Sequence, residues 1–253
     1  MNLSKVQGNV AFMVYYKGTT VSYFVEYNNK EKVMKKCRFL TMVLLGGLIM
    51  IGLAGCGENK NSREWIENKV SEVSRVYPTE NLIDLFKQFP EGFKVNQVYI
   101  KRGTYLIEIT LQGDSSNQTI SGVLTKTRAS EDITEKPEET IKVDYINGEF
   151  IFSDEKKAKE LWPFDGFLFQ KLTIDHSFLS SLSMKAKSYN GNNGAFDIDY
   201  LVRNQTINQY FKKDENEQAT LGFGSSYRND DYYYYSVTVN YDNVYSFRET
   251  VSN

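Results

Sequence analysis

The chain has 253 residues, with 30 Lys and Arg against 32 Asp and Glu, two cysteines and a single histidine. The two signs nearly balance over the full chain, and the acidic excess left on the mature part, given below, argues against nucleic acid. The lone His176 excludes a histidine metal site and a cysteine–histidine catalytic pair from the folded part. The length suits one domain, or two small ones, with an ample core.

Residues 1–33 are polar and aromatic-rich, and export signals rarely tolerate such a segment ahead of them. We read translation as starting at Met34, so that the mature protein contains neither Tyr15 nor Tyr16. Residues 34–55 carry Lys35, Lys36 and Arg38, then an uncharged apolar run, then Leu53, Ala54 and Gly55 ahead of Cys56. That order is the basic start, apolar middle and small-residue cleavage site of an export signal. A leucine, two small residues and a cysteine are what a lipoprotein signal peptidase requires. Small side chains let the extended backbone enter the protease, and the Cys56 thiol takes a diacylglyceryl group. The apolar run contains Gly46, Gly47 and Gly52, falls short of the ~20 residues a spanning helix needs, and has no basic cluster after it. Two acyl chains, at about 0.8 kcal/mol per buried methylene, anchor a protein stably. The expectation is therefore a domain held by lipid on the extracytoplasmic face of the cell membrane.

Removing residues 1–55 takes away seven of the 30 basic and two of the 32 acidic residues, leaving a formal charge of −7 on the mature chain. Direct binding to an acidic headgroup layer is disfavoured by that sign. Cys37 leaves with the signal and Cys56 is acylated, so the fold has no disulfide and rests on packing alone.

Residues 56–62 read as a short polar tether, and residues 63–253 as a single globular domain. Ile66, Val70, Val73 and Tyr77 recur at helical spacing and predict an amphipathic helix ended by Pro78. Thr79 is positioned to cap a second helix carrying Leu82, Leu85 and Phe86, closed by Pro90 and Gly92. Beyond Phe93 the pattern changes to strands, with alternation at Tyr105, Ile107 and Ile109 and a second run over residues 120–127. An acid-rich loop follows over residues 128–139. Asn147-Gly148 between two β-prone runs is the strongest hairpin signal, because both residues accept the positive φ of a type I′ turn.

Ser153 and Asp154 offer caps to a short helix through Trp162, stopped by Pro163. Residues 164–182 are ambiguous between strand and helix. Strands are predicted over 195–202, 219–225, 232–241 and 244–247, with a helix over 204–211 and a charged loop over 212–218. Together these predict an α+β fold, a largely antiparallel sheet with an N-terminal helical pair and short helices between strands.

The run Tyr77-Pro78-Thr79-Glu80-Asn81-Leu82-Ile83-Asp84-Leu85-Phe86 after a first helix, followed by Gly103-Thr104-Tyr105, resembles the tandem-type lipoprotein family of staphylococci, also described as conserved staphylococcal antigens. Lys187-Ser188-Tyr189, residues 204–211 and Gly224-Ser225-Ser226-Tyr227 match it more loosely. The chain departs from that pattern in lacking the glycine that usually follows the Gly-Ser-Ser, and in its tyrosine run at 232–235. The resemblance implies a surface lipoprotein with no assigned enzyme activity, associated with host contact and with innate recognition through its lipid. It implies no catalytic residue.

Read for chemistry, the residues give no catalyst and no cofactor. His176 with Asp175 or Asp165 lacks a G-x-S-x-G serine. Ser153-Asp154-Glu155-Lys156 fits S-x-x-K, but no K-T-G follows it, and Ser153 is better used as a cap. Gly222-Phe223-Gly224 lacks the third glycine of a dinucleotide loop and reads as a strand bend. Residues 214–217 lack the glycine and glutamate of a calcium loop and read as a solvated loop. On a strand, Tyr232 and Tyr234 face one side and Tyr233 and Tyr235 the other. We expect a partner-binding patch at Tyr233, Tyr235 and Tyr241, since tyrosine is enriched at interfaces. The simpler reading is a sheet that uses tyrosine on its half-buried face. Three functions follow: a lipid-anchored protein contacting a host or envelope protein; a small-ligand or glycan-binding lipoprotein using an exposed tyrosine face; or an envelope hydrolase, for which no acid pair is identifiable.

Overall fold

The computed structural model describes residues 3–6, 9–16, 19–25, 59–101, 105–128, 136–226, 232–241 and 245–253. Residues 26–58, with the export signal and Cys56, lie outside the described residues, as do most of the acidic loop and Gly103-Thr104. The chain divides into two units, Met1–Glu58 and Asn59–Asn253. In the first, β1 (Leu3–Val6), β2 (Asn9–Tyr16) and β3 (Thr19–Val25) form an antiparallel meander.

The second unit is α+β. Its strands are β4 (Phe93–Lys101), β5 (Tyr105–Asp114), β6 (Thr119–Arg128), β7 (Glu139–Ile146) and β8 (Glu149–Phe152). The second half supplies β9 (Ser183–Tyr189), β10 (Ala195–Val202), β11 (Ala219–Ser226), β12 (Tyr234–Tyr241) and β13 (Tyr245–Ser252). They make one ten-stranded antiparallel sheet in the order β8-β7-β6-β5-β4-β13-β12-β11-β10-β9. Each half is a meander, so neighbouring strands are mostly joined by local turns. Among the described strands, β4 against β13 is the pairing that joins the halves, with Val95 opposite Val251 and Tyr99 opposite Phe247.

Alternation decides the faces. Ile107, Ile109 and Leu111 of β5, Ile198, Tyr200 and Val202 of β10, and Val237, Val239 and Tyr241 of β12 are buried on one side and belong to a single apolar cluster. Their neighbours on the other side are mainly Ser, Thr, Asn, Asp and Glu. The helices cover the apolar side. Helix α1 (Arg63–Val70) is capped by Ser62, whose hydroxyl accepts from the Trp65 N–H at 3.1 Å, and buries Trp65, Ile66 and Val70. Trp65 packs edge-on against Phe196 of β10, at 5.7 Å between centroids. Glu67 on the same helix is also buried, and it accepts from the Tyr200 hydroxyl at 2.8 Å and the Arg63 guanidinium at 2.8 Å.

The helical pair is shorter than the sequence suggests. α1 continues only as a 3-10 turn through Arg75, and the second member is a 3-10 turn leading into α2 (Leu85–Gln88). Its cap is Asn81 rather than Thr79. The Asn81 side chain accepts from the Ile83 N–H at 3.1 Å and from the Tyr145 hydroxyl of β7 at 3.2 Å. Thr79 is instead buried, its N–H donating to the Phe169 carbonyl at 3.0 Å. Removing both Asn81 bonds in Asn81→Ala should cost about 1–2 kcal/mol, read as a lower denaturant midpoint.

The hairpin between β7 and β8 turns on Asn147 and Gly148 with φ of 53° and 88°, the two positive values expected of a type I′ turn. Asp154, not Ser153, caps α3 (Glu155–Leu161), accepting from the Lys157 N–H at 2.9 Å. The ambiguous stretch beyond Pro163 contains a 3-10 turn, Leu168–Gln170, and helix α4 (His176–Ser181). Helix α5 (Gln205–Tyr210) is capped by Asn204.

One buried carboxylate locks these parts together. Glu249 of β13 is 1 % exposed and accepts four hydrogen bonds. Tyr77 Oη and the Phe169 N–H reach one oxygen at 2.6 and 2.9 Å; Gln97 Nε2 and the Leu168 N–H reach the other at 2.9 and 2.8 Å. Gln97 in turn accepts from the Trp162 indole at 2.5 Å and donates to the Tyr210 hydroxyl at 2.7 Å. The block Tyr77 to Phe86 is thereby tied to the sheet centre through Tyr77, to the 3-10 turn through Thr79, and to β7 through Asn81.

Candidate functional site

The tyrosine run divides by strand parity, opposite to the expectation. Tyr235 is opposite Ser225 and Val251 in register and shares its face with Val237, Val239 and Tyr241. Those valines must turn inward, so Tyr233, Tyr235 and Tyr241 turn inward with them. Tyr233 is 5 % exposed, packed at 5.0 Å on Phe89 and 4.9 Å on Tyr235, with the Arg75 guanidinium over its ring. Tyr235 donates its hydroxyl to the Lys69 carbonyl at 2.9 Å, and burial pushes that phenol up to about 12. Tyr241 is 2 % exposed and donates to Asn208 at 2.7 Å. Tyr233 and Tyr241 are core residues and Tyr235 packs half-buried against them, so the three do not form an exposed partner-binding patch.

The outward pair is Tyr232 and Tyr234. Tyr232 is 45 % exposed, and its ring lies 6.2 Å from that of Tyr234 at an interplanar angle of 12°. Beside them is a surface depression of about 480 Å³, whose lining includes Gly224, Ser225 and Ser236. Gly224 opens it: a β-carbon there would sit 3.2 Å from the Ser236 hydroxyl. Both serine hydroxyls already donate, Ser236 to the Gly224 carbonyl at 3.2 Å and Ser225 to the Tyr234 carbonyl at 2.5 Å.

Next along the sheet, Asp197 stands opposite Gly224, and Asp199 opposite Gly222. Asp197 accepts from the Ser188 hydroxyl at 2.6 Å. A β-carbon at Gly222 would lie 2.5 Å from both the Asp199 carboxylate and the Thr238 hydroxyl, so this glycine lets those groups close over the strand. Partial burial first, and the Asp197 charge second, hold the Asp199 carboxyl above its ordinary value. The surface is thus a pair of aromatic rings beside hydrogen-bond acceptors.

The other residues singled out from the sequence have structural places. The Ser153 hydroxyl accepts from the Lys142 N–H at 3.0 Å, bracing β7. His176 is exposed at the start of α4, while Asp175 caps that helix by accepting from the Phe178 N–H at 2.7 Å. The loop over 214–217 is held by Asn208, whose amide donates to the Glu215 and Glu217 carbonyls at 2.8 and 2.9 Å. A second, smaller cavity of about 230 Å³ is walled by aromatic rings including Phe164 and Tyr210, stacked at 5.0 Å, with Lys212 and Lys213 at its side. Among the described residues no group of three or more His, Cys, Asp or Glu is placed to hold a metal ion. No described helix is long and apolar enough to cross a membrane.

Compared with protein-family models and with curated proteins, the sequence matches none. The outward tyrosine pair was legible from Val237 and Val239 alone; the register of Asp197 against Gly224 was not, because it is a contact between strands.

Proposed function

We propose that this is an exported lipoprotein of the tandem type, anchored through diacylglyceryl-Cys56 to the outer face of the cell membrane, whose folded domain acts by binding rather than by catalysis. The observation that carries the reading is the order of residues 34–56: Lys35, Lys36 and Arg38, an uncharged apolar run, then Leu53, Ala54, Gly55 and Cys56. The compact unit beginning at Asn59 supports a short tether after the lipidated cysteine. The Tyr77 to Phe86 block supports the family, and its Tyr77 side chain has structural work at the sheet centre. A host or envelope protein is the proposed partner, with the acyl group recognised by innate receptors.

Labelled palmitate should enter the wild-type protein and be lost in Cys56→Ser, and the intact mass of the labelled product should exclude Tyr15 and Tyr16. Equal labelling of the serine variant would end the proposal. Recovery of a peptide containing Tyr15 from the mature protein would remove the assigned start at Met34.

A further inference from the structure

We propose that the depression beside Tyr232 and Tyr234 binds a carbohydrate ring. Two near-parallel, stacked rings 6.2 Å apart present aromatic surface on the outward face of the sheet. A pyranose presents a matching face of C–H groups, and aromatic side chains contribute to binding through area and through their polarised faces. The 480 Å³ depression has room for one such ring or two. Gly224 supplies that room by lacking a side chain.

The polar groups around the wall select the same class of ligand. Ser236 has committed its hydroxyl proton to the Gly224 carbonyl, so its oxygen is left as an acceptor. Asp197, in register with Gly224, is an acceptor with one oxygen taken by Ser188. A surface of acceptors is met by a ligand rich in hydroxyl donors. The Asp197 and Asp199 carboxylates disfavour a phosphate or carboxylate ligand by like charge. Stacked tyrosine rings, a glycine-opened floor, the Ser236 acceptor and the Asp197 carboxylate just beyond the lining together describe a site for a neutral sugar.

The inference rests on the binding-module reading but not on the lipid, so it survives or fails separately from palmitate labelling at Cys56. The test is saturation-transfer NMR on the full chain in detergent micelles, with chitotriose, maltotriose and, as an anionic control, trigalacturonate. Transfer to the ring C–H protons of a neutral trisaccharide is expected. It should fall about tenfold or more in the Tyr232→Ala, Tyr234→Ala double variant and persist with phenylalanine at both positions. Far-ultraviolet circular dichroism should be unchanged in both variants. No transfer to either neutral sugar, equal transfer in the alanine variant, or equal transfer to trigalacturonate would overturn the proposal.

Discussion

Replacing Glu249 by leucine should lower stability by about 4 kcal/mol, because removing one partner of a buried charged network leaves the others unpaired. For a domain of this size that is a fall of roughly 8–16 °C in the unfolding midpoint. The Tyr77 hydroxyl can rotate, but the Gln97 amide and the Leu168 and Phe169 N–H groups would all face hydrocarbon. Glu249→Gln keeps one oxygen and the volume, and orphans a backbone donor, so a smaller loss of about 1–2 kcal/mol is expected. The pH dependence separates the two effects. Burial holds the Glu249 carboxyl above its ordinary value of 4.5, against the pull of its four donors. The folded chain therefore takes up this proton before the unfolded chain does. The resulting stabilisation is fully present below 4.5 and is lost as pH rises through the folded value. Wild type should gain stability relative to Glu249→Gln on acidification from neutral pH; a relative loss would contradict the assignment.

Gly122→Ala is the second large effect. A β-carbon there would lie 1.8 Å from the Thr110 carbonyl oxygen and 3.0 Å from Leu111 Cα, both backbone atoms of the neighbouring strand β5. Neither can be moved by a rotamer change, so β5 and β6 must part where Thr110 to Leu111 face Gly122 to Val123. The expected cost is about 3 kcal/mol, the upper range for overpacking, or roughly 6–12 °C in midpoint. Gly191→Ala is the control: nothing lies within 4 Å of a β-carbon there, and the change should stay within about 0.5 kcal/mol. Equal midpoints for the two variants would show that the β5–β6 contact is not constraining.

What could be read from the sequence depended on how local the determining interaction is. The Asn147-Gly148 hairpin was readable because one dipeptide sets both positive φ angles. Helix α5 and strand β10 were readable because a cap or an apolar alternation lies within a few residues. Strand β9 is hard to read because Met184 and Ala186 are the extent of its apolar alternation and both are exposed, as suits an edge strand held by its pairing to β10. The end of β13 reads short because Arg248, Glu249 and Thr250 are polar in succession, although the strand is paired on both sides. Glu249 looks like a surface residue until the donors from Tyr77, Gln97 and the 168–169 backbone are brought to it by folding. The cap was misassigned because Thr79 and Asn81 are both competent, and only tertiary contacts at Phe169 and Tyr145 choose between them. The tyrosine patch was a different kind of error, since Val237 and Val239 already fixed which side of β12 faces inward.

The pairing of β4 with β13 has a consequence for biogenesis. The first and last strands of the sheet meet at its middle, so the seam lacks one of its sides until β13 is available. A chain threaded outward from its amino end would deliver β13 last, together with the carboxylate that organises Tyr77 and Gln97. Without β13 the two half-meanders share no paired strand, and neither Tyr77 nor Gln97 has the carboxylate that it meets in the folded unit.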